Sequence, residues 1–461
     1  MRAWWDPLCS GSSRLRATQL SSSLGATSSG PSKCGHSRDS AHRCDVEPGI
    51  GDDSYAYCRY SYGAPYGGDS SSGGDARRRS QQASLYSKRT RDEHTAVWMK
   101  IAMIGTRGVP AAYGGFETAV DEVGTRLVER GHDVTVYCRG PKRVGEHNGI
   151  RCITLPAPPI KSLETLAHTA LSILHARRQA FDVVVLFNVG NAPLLALVKH
   201  PVVLHVDGLE WKRGKWGRVG RAYYQICERV AAASGHDLIA DAEGIATYYE
   251  TRYNVRSNVI AYGAPVRLPA ADDTRALGSL GLDPDGYLLM VARLEPENNV
   301  HLVVDAYERS SRRMPLVVVG DAPYRSWYLD DLRRALAGTS NVRQLGRVDD
   351  QQLLDVLYAN ARTYVHGHTV GGTNPSLLRA MGAGAPVIAF DGVFNREVCG
   401  DAALYFSSAA ELCQVLDESM GTVSRERGAA ARSRAVERYD WDAVTAKYEA
   451  LLFRCTDRNV T

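Results

Sequence analysis

The chain has 461 residues, enough for two or three domains with full hydrophobic cores. Its formal net charge is only +4 and no block of like charge dominates, so the composition does not favour a nucleic-acid partner. The sequence contains no run of about 18 apolar residues, so it predicts no membrane-spanning helix. The ten cysteines form no CxxC pairs and have no zinc-site spacing, which predicts reduced thiols in a cytoplasmic protein with no bound metal.

Residues 1–98 differ in composition from the rest of the chain. They hold 19 Ser and 11 Gly but only eight residues of the Val, Ile, Leu and Phe set, too few for a packed core. We expect a disordered, low-complexity leader that is dispensable or artefactual. Folded-protein patterning begins abruptly at Met99, which makes Met99 an alternative start of translation.

From Met99 onward, short apolar runs alternate with amphipathic stretches. The apolar runs of the first half predict strands at 100–105, 134–137, 183–187, 202–206 and 238–240. Helical periodicity predicts helices at 117–130, 163–178, 221–233 and 243–253. This alternation is typical of βαβ units with a parallel sheet, and we assign residues 99–265 to a first domain.

A second domain follows a stretch with little apolar periodicity. Residues 266–285 are rich in Pro, Asp and Gly and are predicted to be a linker. Strands are then predicted at 287–291, 316–319, 342–344, 363–365 and 386–390, and helices at 300–307, 351–358, 376–381, 425–439 and 442–453. We assign residues 286–435 to this domain and expect residues 436–461 to cross back to the first.

The predicted fold is α/β, with two doubly wound Rossmann-like domains facing each other across a cleft. Ligands of such sheets bind beyond the carboxyl ends of the strands, so the cleft is the expected binding site.

The first motif, at 104–118, is rich in glycine and follows the first predicted strand. Gly114 and Gly115 open a helix, where free N–H groups face an anion, and Glu117, in its first turn, is expected on the acceptor or membrane side. The motif lacks the GxGxxG spacing, which disfavours a nicotinamide cofactor. The alternative is a tight turn without a ligand.

Arg293 ends the first strand of the second domain and is expected to face the cleft, where a guanidinium suits a phosphate group. The alternative is a surface arginine paired with Glu295 or Glu297.

The segment 207–218 places acidic residues at another strand end, followed by basic residues mixed with tryptophan. Asp207 and Glu210 are expected at the edge of the cleft. Trp211, Lys212 and Arg213 suit an acceptor or an anionic membrane surface. The alternative is a solvated basic loop with the tryptophans packed inward.

The run at 371–391 begins with a Gly pair and a helix with Pro375 in its first turn, which predicts a phosphate site. His366 and His368 precede it without a carboxylate at ligand spacing, so we interpret them as structural.

Together these four motifs resemble family 4 glycosyltransferases of the glycosyltransferase-B architecture, and a rhamnosyltransferase-like bacterial branch in particular. The resemblance runs from about Met99 to Phe453. It implies retaining transfer of a sugar from a nucleotide-diphosphate sugar, with no metal and no other cofactor, because protein cations and helix N-termini balance the leaving diphosphate.

The resemblance also assigns roles to individual residues. Arg293 matches the diphosphate-binding arginine, and Gly114 and Gly115 match the loop beside the donor phosphates. Asp207 falls where relatives place a histidine beside the donor sugar, although a shift of two residues would select His205 instead. The Gly371, Gly372, Thr373 and Asn374 segment is expected to hold the donor, with the Asn374 amide bonding its sugar or phosphate.

Two positions depart from the family pattern. Relatives carry a lysine where this chain has Asn298, and two glutamates where it has Gly371 and Arg379. An arginine cannot accept hydrogen bonds from ribose hydroxyls. Arg379 is therefore expected either to pair with the donor phosphates or to mark a changed nucleotide preference, such as a thymidine diphosphate sugar.

The implied acceptor is a cell-wall, exopolysaccharide or lipid-linked glycan, and the implied location is cytoplasmic, with peripheral contact at the inner face of the plasma membrane. Two alternatives remain open. One is a transferase of the same fold acting on a soluble acceptor. The other is an inactive relative that scaffolds a polysaccharide assembly complex.

Overall fold

The structure is a computed structural model, and it describes residues 98–111, 114–140, 145–158, 164–266, 274–322, 327–337, 339, 341–418 and 425–458. The leader, with the disorder predicted for it, lies outside the described residues, as do residues 267–273 of the predicted linker.

The first domain is built on a sheet of eight described strands. These are β1 (Lys100–Ile104), β2 (Asp133–Arg139), β3 (Glu146–His147), β4 (Ile150–Leu155), β5 (Val183–Phe187), β6 (Val202–His205), β7 (Asp237–Ala240) and β8 (Asn258–Val259). Their order across the sheet is β3-β4-β2-β1-β5-β6-β7-β8, and only β3 pairs antiparallel with its neighbour. The central strand β5 is buried along its whole length, as expected for a parallel strand covered on both faces.

The second domain is built on a sheet of six described strands. These are β9 (Leu288–Val291), β10 (Leu316–Val319), β11 (Val342–Gly346), β12 (Thr363–His366), β13 (Val387–Phe390) and β14 (Ala403–Phe406). They are all parallel, in the order β11-β10-β9-β12-β13-β14.

Helices connect the strands in both domains. In the first domain they are α1 (Gly115–Glu129), α2 (Glu164–Ala176), α3 (Arg218–Ala233) and α4 (Glu243–Tyr253). Later in the chain they are α5 (Arg275–Ser279), α6 (Val300–Arg309), α7 (Trp327–Ala337), α8 (Gln351–Asn360), α9 (Pro375–Gly382), α10 (Val393–Cys399), α11 (Ala409–Glu418), α12 (Arg425–Arg438) and α13 (Trp441–Asp457). None of the helices in the described ranges is long and apolar enough to cross a lipid bilayer.

The predicted fold class is confirmed, because two parallel, doubly wound sheets carry helices as expected. Several elements escaped prediction. The 3-10 helix Val189–Leu197 is apolar on all sides and contains Pro193, so it shows no helical periodicity. The strand β14 and the helix α10 are too short to give a clear period.

Two segments near the domain boundaries have defined packing. The helix α5 lies inside the predicted linker, and its Leu277 is fully buried against the second domain's cluster. The last helix, α13, packs on α1, β5 and β6 of the first domain. One hydrophobic cluster consequently runs through both domains, from Met103 to Met381 and Tyr448.

Candidate active site

Two glycine-containing turns, one from each domain, meet at the carboxyl ends of the sheets. The turn after β1 ends at Gly114, whose φ is 112° and which precedes the first residue of α1. A Cβ built on Gly115 would lie 3.3 Å from Cγ of Pro375, in the first turn of α9. The amino termini of α1 and α9 therefore approach each other, and the positive ends of their helix dipoles give this part of the cleft a positive potential.

Glu117 folds back onto the turn in front of its own helix. Its Oε1 accepts a hydrogen bond from the N–H of Arg107 at 3.1 Å. Burial raises the pKa of Glu117, and the hydrogen bond from Arg107 offsets only part of that rise. This carboxylate, predicted for the acceptor side, supports the glycine turn.

Residues 371–374, called the glycine loop below, are the last part of the connection from β12 to α9. Asn374 caps α9, because its Oδ1 accepts hydrogen bonds from the N–H of Ser376 at 3.0 Å and from its hydroxyl at 2.8 Å. Gly371 has a φ of 141°, and a Cβ there would meet no atom within 4 Å. Position 371 thus opens into free space.

The glycine loop lies directly against the first domain. A Cβ on Gly208 would be 2.9 Å from Cα of Gly371, so the two backbones approach as closely as glycine alone permits. Gly208 follows Asp207, whose φ is 60°. The loop after β6 and the glycine loop thus form one continuous surface.

Arg293 follows the carboxyl end of β9 and lies close enough to His368, three residues before the glycine loop, for its charge to lower the pKa of that histidine. Its Nη1 lies 3.6 Å from Oε2 of Glu295, and 32% of its side chain is exposed. The Asn298 amide points away from solvent and donates to the carbonyl of Arg293 at 2.8 Å. Arg293 can therefore meet a ligand, whereas Asn298 fixes the backbone that carries it.

The structure distinguishes Asp207 from His205. His205 is fully buried, with its ring 5.5 Å from that of Phe187 and 5.9 Å from that of Tyr262. Burial lowers its pKa to about 3. Asp207 is only partly buried; burial raises its pKa, Arg213 lowers it and Glu210 raises it. Of the two, Asp207 is the residue at the cleft.

Glu210 is the centre of a buried ionic cluster. Its carboxylate lies 2.5 Å from Nε of Arg213 and 2.6 Å from Nζ of Lys215, and it accepts a hydrogen bond from Nε1 of Trp216 at 3.2 Å. Burial alone would raise the pKa of Glu210, but Arg213 and Lys215 outweigh it and lower the pKa.

The tryptophans of this segment face inward. Trp211 and Trp216 pack against the hydrophobic cluster of the first domain, and Trp216 lies 5.0 Å from the ring of Tyr224. Nζ of Lys212 lies 5.6 Å from the Trp211 ring centre. The inward-packed alternative therefore describes these tryptophans better than a membrane-facing one.

Arg379 is bound to its own domain. Its Nε donates to Oδ1 of Asp355 at 2.9 Å, and its Nη1 and Nη2 donate to the side chain and carbonyl of Gln351, each at 2.6 Å. The guanidinium also lies 5.8 Å from the centre of the Tyr358 ring. These contacts join α9 to α8 and use the groups that were expected to meet donor phosphates.

His366 and His368 stack on each other with ring centres 4.3 Å apart. Burial lowers the pKa of both, that of His366 to about 3. Across the described ranges, no three His, Cys, Asp or Glu side chains come together as a metal site would need.

Sequence reasoning missed two carboxylates at the domain contact. Asp241 directly follows β7, and Glu397 lies in α10; both bond the opposite domain. Asp241 could have been found by the argument applied to Asp207, because both end parallel strands that face the cleft. Glu397 has no comparable signal in the sequence.

Two family models match this chain, and each match covers one of the two sheets. Residues 98–265 match the family described as "Domain of unknown function (DUF1972)". Residues 285–419 match the family described as "Glycosyl transferases group 1". The second match covers the sheet that carries Arg293 and the glycine loop.

A curated relative is the O-antigen chain mannosyltransferase B of Escherichia coli, 31% identical over 176 residues. The match covers 35% of this chain and 44% of that protein, so the chain spans less than half the length of this relative.

Solved structures share the fold at low identity. Sucrose-phosphate synthase from Thermosynechococcus elongatus has a TM-score of 0.67 and 19% identity over 77% of this chain and 98% of its own. HepE of Anabaena in complex with UDP has a TM-score of 0.62 and 18% identity, and the match covers 77% of this chain and 100% of HepE. WaaG, described as a glycosyltransferase involved in lipopolysaccharide biosynthesis, has a TM-score of 0.61 and 18% identity. The match covers 76% of this chain and 99% of WaaG.

At these identities the solved structures establish the fold alone. The architecture is that of the glycosyltransferase-B enzymes, and the group 1 match lies in its second domain. Fold and family match together indicate a glycosyltransferase.

Proposed function

We propose that this chain is a retaining glycosyltransferase that moves a sugar from a nucleotide-diphosphate sugar to a glycan or lipid-linked acceptor in polysaccharide or cell-wall assembly. One observation carries the proposal. The amino termini of α1 and α9 meet across the cleft, at Gly115 and Pro375, and the partly exposed Arg293 lies near His368, three residues before the glycine loop. This arrangement presents N–H groups and a cation to a diphosphate from both domains.

In the proposed reaction the acceptor oxygen forms a bond to the anomeric carbon while the bond to the diphosphate breaks. The acceptor proton passes to the leaving diphosphate oxygen. Arg293 and the N–H groups of Gly371 and Gly372 stabilise the charge that develops on the diphosphate, which is why the proposal needs no metal. Asp207 accepts a hydrogen bond from the donor sugar and orients it.

The proposal also concerns the identity of the donor nucleotide and of the sugar. The resemblance suggests rhamnose as the sugar, and one of the two readings of Arg379 suggests a thymidine diphosphate, whereas the E. coli relative is named a mannosyltransferase. The structures of HepE contain UDP and UDP-glucose. We retain thymidine diphosphate rhamnose as the first donor to test and guanosine diphosphate mannose as the second.

Peripheral membrane contact is also proposed, on a surface other than the tryptophan segment. Leu171 and Leu174 of α2 are 43% and 44% exposed. They line a groove together with Arg177, Arg178 and Lys199. Apolar side chains beside cations are complementary to the inner, anionic face of a plasma membrane. Co-sedimentation with vesicles containing phosphatidylglycerol should fall when both leucines are replaced by Ser.

The proposal is tested with a panel of uridine, guanosine and thymidine diphosphate sugars and lipid-linked acceptors, with products detected by mass spectrometry. Wild type should form one glycosylated product, and Arg293→Ala should form it about a hundredfold more slowly. An unchanged rate in that variant would remove Arg293 from the site.

The inactive scaffold stays as the second candidate because Asn298, Gly371 and Arg379 replace charged residues of relatives. Thermal unfolding with each nucleoside diphosphate separates the two candidates. A donor-using enzyme is stabilised by the diphosphate of its donor, whereas a scaffold that binds none of them unfolds at an unchanged temperature.

A further inference from the structure

The segment 241–244, at the junction of β7 and α4, exchanges hydrogen bonds with the second domain in both directions. Oδ2 of Asp241 accepts from the N–H of Thr373 at 3.1 Å, and the carbonyl of Asp241 accepts from the Thr373 hydroxyl. The N–H groups of Glu243 and Gly244 donate to Glu397 at 2.7 and 3.1 Å. We call this set of contacts the interdomain clasp.

The clasp is closely packed around the glycine loop. A Cβ on Gly372 would lie 2.1 Å from Oδ1 of Asp241, and a Cβ on Gly244 would lie 2.9 Å from the Phe394 ring. Asp241 is 1% exposed and Thr373 is 4% exposed. Because the loop touches a buried carboxyl at two successive residues, its position depends on where that carboxyl lies.

The clasp also borders the narrow pocket beside the glycine loop. Its lining includes a first group from the glycine loop, Gly371, Gly372 and Asn374, and a second group from α10, Phe394 and Asn395. Asp241 holds the first group through Thr373, and Glu397 holds the second from the same helix as Phe394. Both groups are thus attached to one short segment of the first domain.

We propose that Asp241 and Glu397 are positioning residues, which hold the glycine loop and α10 against the first domain and so fix the shape of the pocket between these two elements. The role of the pocket in this inference rests on the proposed function. The clasp itself rests on the hydrogen bonds and close packing between the two domains.

The clasp is tested in the full-length protein with Asp241→Ala, Asp241→Asn and Glu397→Ala. Asn keeps an oxygen that accepts the Thr373 N–H, so Asp241→Asn should retain the wild-type KM for the donor. Asp241→Ala should raise that KM by about tenfold to a hundredfold with a smaller change in kcat, because the loop loses its fixed position. Glu397→Ala should have a smaller effect of the same kind.

A second measurement does not depend on activity. Spin labels on exposed sites of the two domains report the distance between them by pulsed electron resonance, without any ligand. The distribution should broaden in Asp241→Ala and Glu397→Ala and stay narrow in Asp241→Asn. Glu250→Ala, on the exposed face of α4, is the matched control and should resemble wild type.

Thr373→Val covers the case in which Asp241→Ala does not fold, because it removes only the hydroxyl bond and should broaden the distances to a smaller degree. Unchanged distances and donor KM in Glu397→Ala and Thr373→Val would overturn the clasp. If wild type bound no nucleotide while the clasp variants still broadened the distances, the proposed function would fail and the clasp would stand.

Discussion

Arg293 and Arg379 belong to the same domain, yet the structure uses them differently. Arg293 pairs with Glu295 at 3.6 Å and keeps a third of its side chain exposed. Arg379 makes its hydrogen bonds to Asp355 and Gln351 of α8 and is only 16% exposed. Residue type alone therefore does not identify a ligand-binding arginine; the number of bonds already satisfied by the protein does.

A similar contrast separates Asp207 from His205, two residues apart along the chain. The histidine lies among aromatic rings, whereas the aspartate lies beside the backbone contact with the glycine loop. In each pair, one residue is expected to contact the ligand and the other packs within its own domain. Variants of the two kinds should affect different measurements.

The largest effect is expected for Arg293→Ala. Loss of the cation should lower kcat/KM for sugar transfer by about 10² to 10³, as for other donors that stabilise a leaving oxyanion. Steady-state assays with the preferred donor measure this. Arg293→Lys is the matched control and should recover part of the activity, and the unfolding temperature of both variants should stay near that of wild type.

Arg379→Ala should instead affect stability. Removing the guanidinium leaves Asp355 and the Gln351 carbonyl without their partner, and the free energy of unfolding should fall by about 1.5–3 kcal/mol. Urea denaturation measures the change. Arg379→Lys keeps the charge but not the forked geometry and should recover less than half. A variant as stable as wild type would contradict the framework role.

His205 predicts a pH dependence of stability. Its pKa is about 3 in the folded chain against an ordinary 6.5, so the unfolded chain binds a proton that the folded chain does not between these values. This residue therefore makes stability decrease as the pH falls from 6.5 towards 3. Denaturation of wild type and His205→Phe across that range should show a shallower decrease in the variant. If stability fell equally with pH in wild type and His205→Phe, the His205 ring would have to be solvated in the folded chain.

The smallest effect concerns donor preference. Because Arg379 is held by α8, Arg379→Ala should leave the ranking of uridine, guanosine and thymidine diphosphate sugars unchanged. Competition assays with donor mixtures measure the ranking. A reversed ranking would return Arg379 to the nucleotide site and would remove the contrast with Arg293.

The sequence predicts the framework well, because strands such as β5 and β10 are continuous apolar runs and the capped helix α9 carries Asn374 and Pro375 at its start. It also places Arg293 and the glycine loop at strand ends. These properties follow from local patterning and from the parallel topology that the patterning implies.

Contacts between segments that are distant in the chain could not be predicted from local sequence patterns. The bonds of Arg379 to α8 span 28 residues, and those of Asp241 to Thr373 span 132. The inward packing of Trp211 and Trp216 likewise depends on α3 and its neighbours, which a window of sequence does not contain. Tertiary partners decide whether a polar residue is available to a ligand.

We expect Arg293 to bind the donor diphosphate and Arg379 not to bind it. Calorimetric titration of wild type, Arg293→Ala and Arg379→Ala with the nucleoside diphosphate of the preferred donor tests it most directly. We predict that Arg379→Ala binds as wild type does and that Arg293→Ala binds roughly tenfold or more weakly, the loss of one charge-assisted pair. Equal weakening in both variants, or in neither, would contradict the claim.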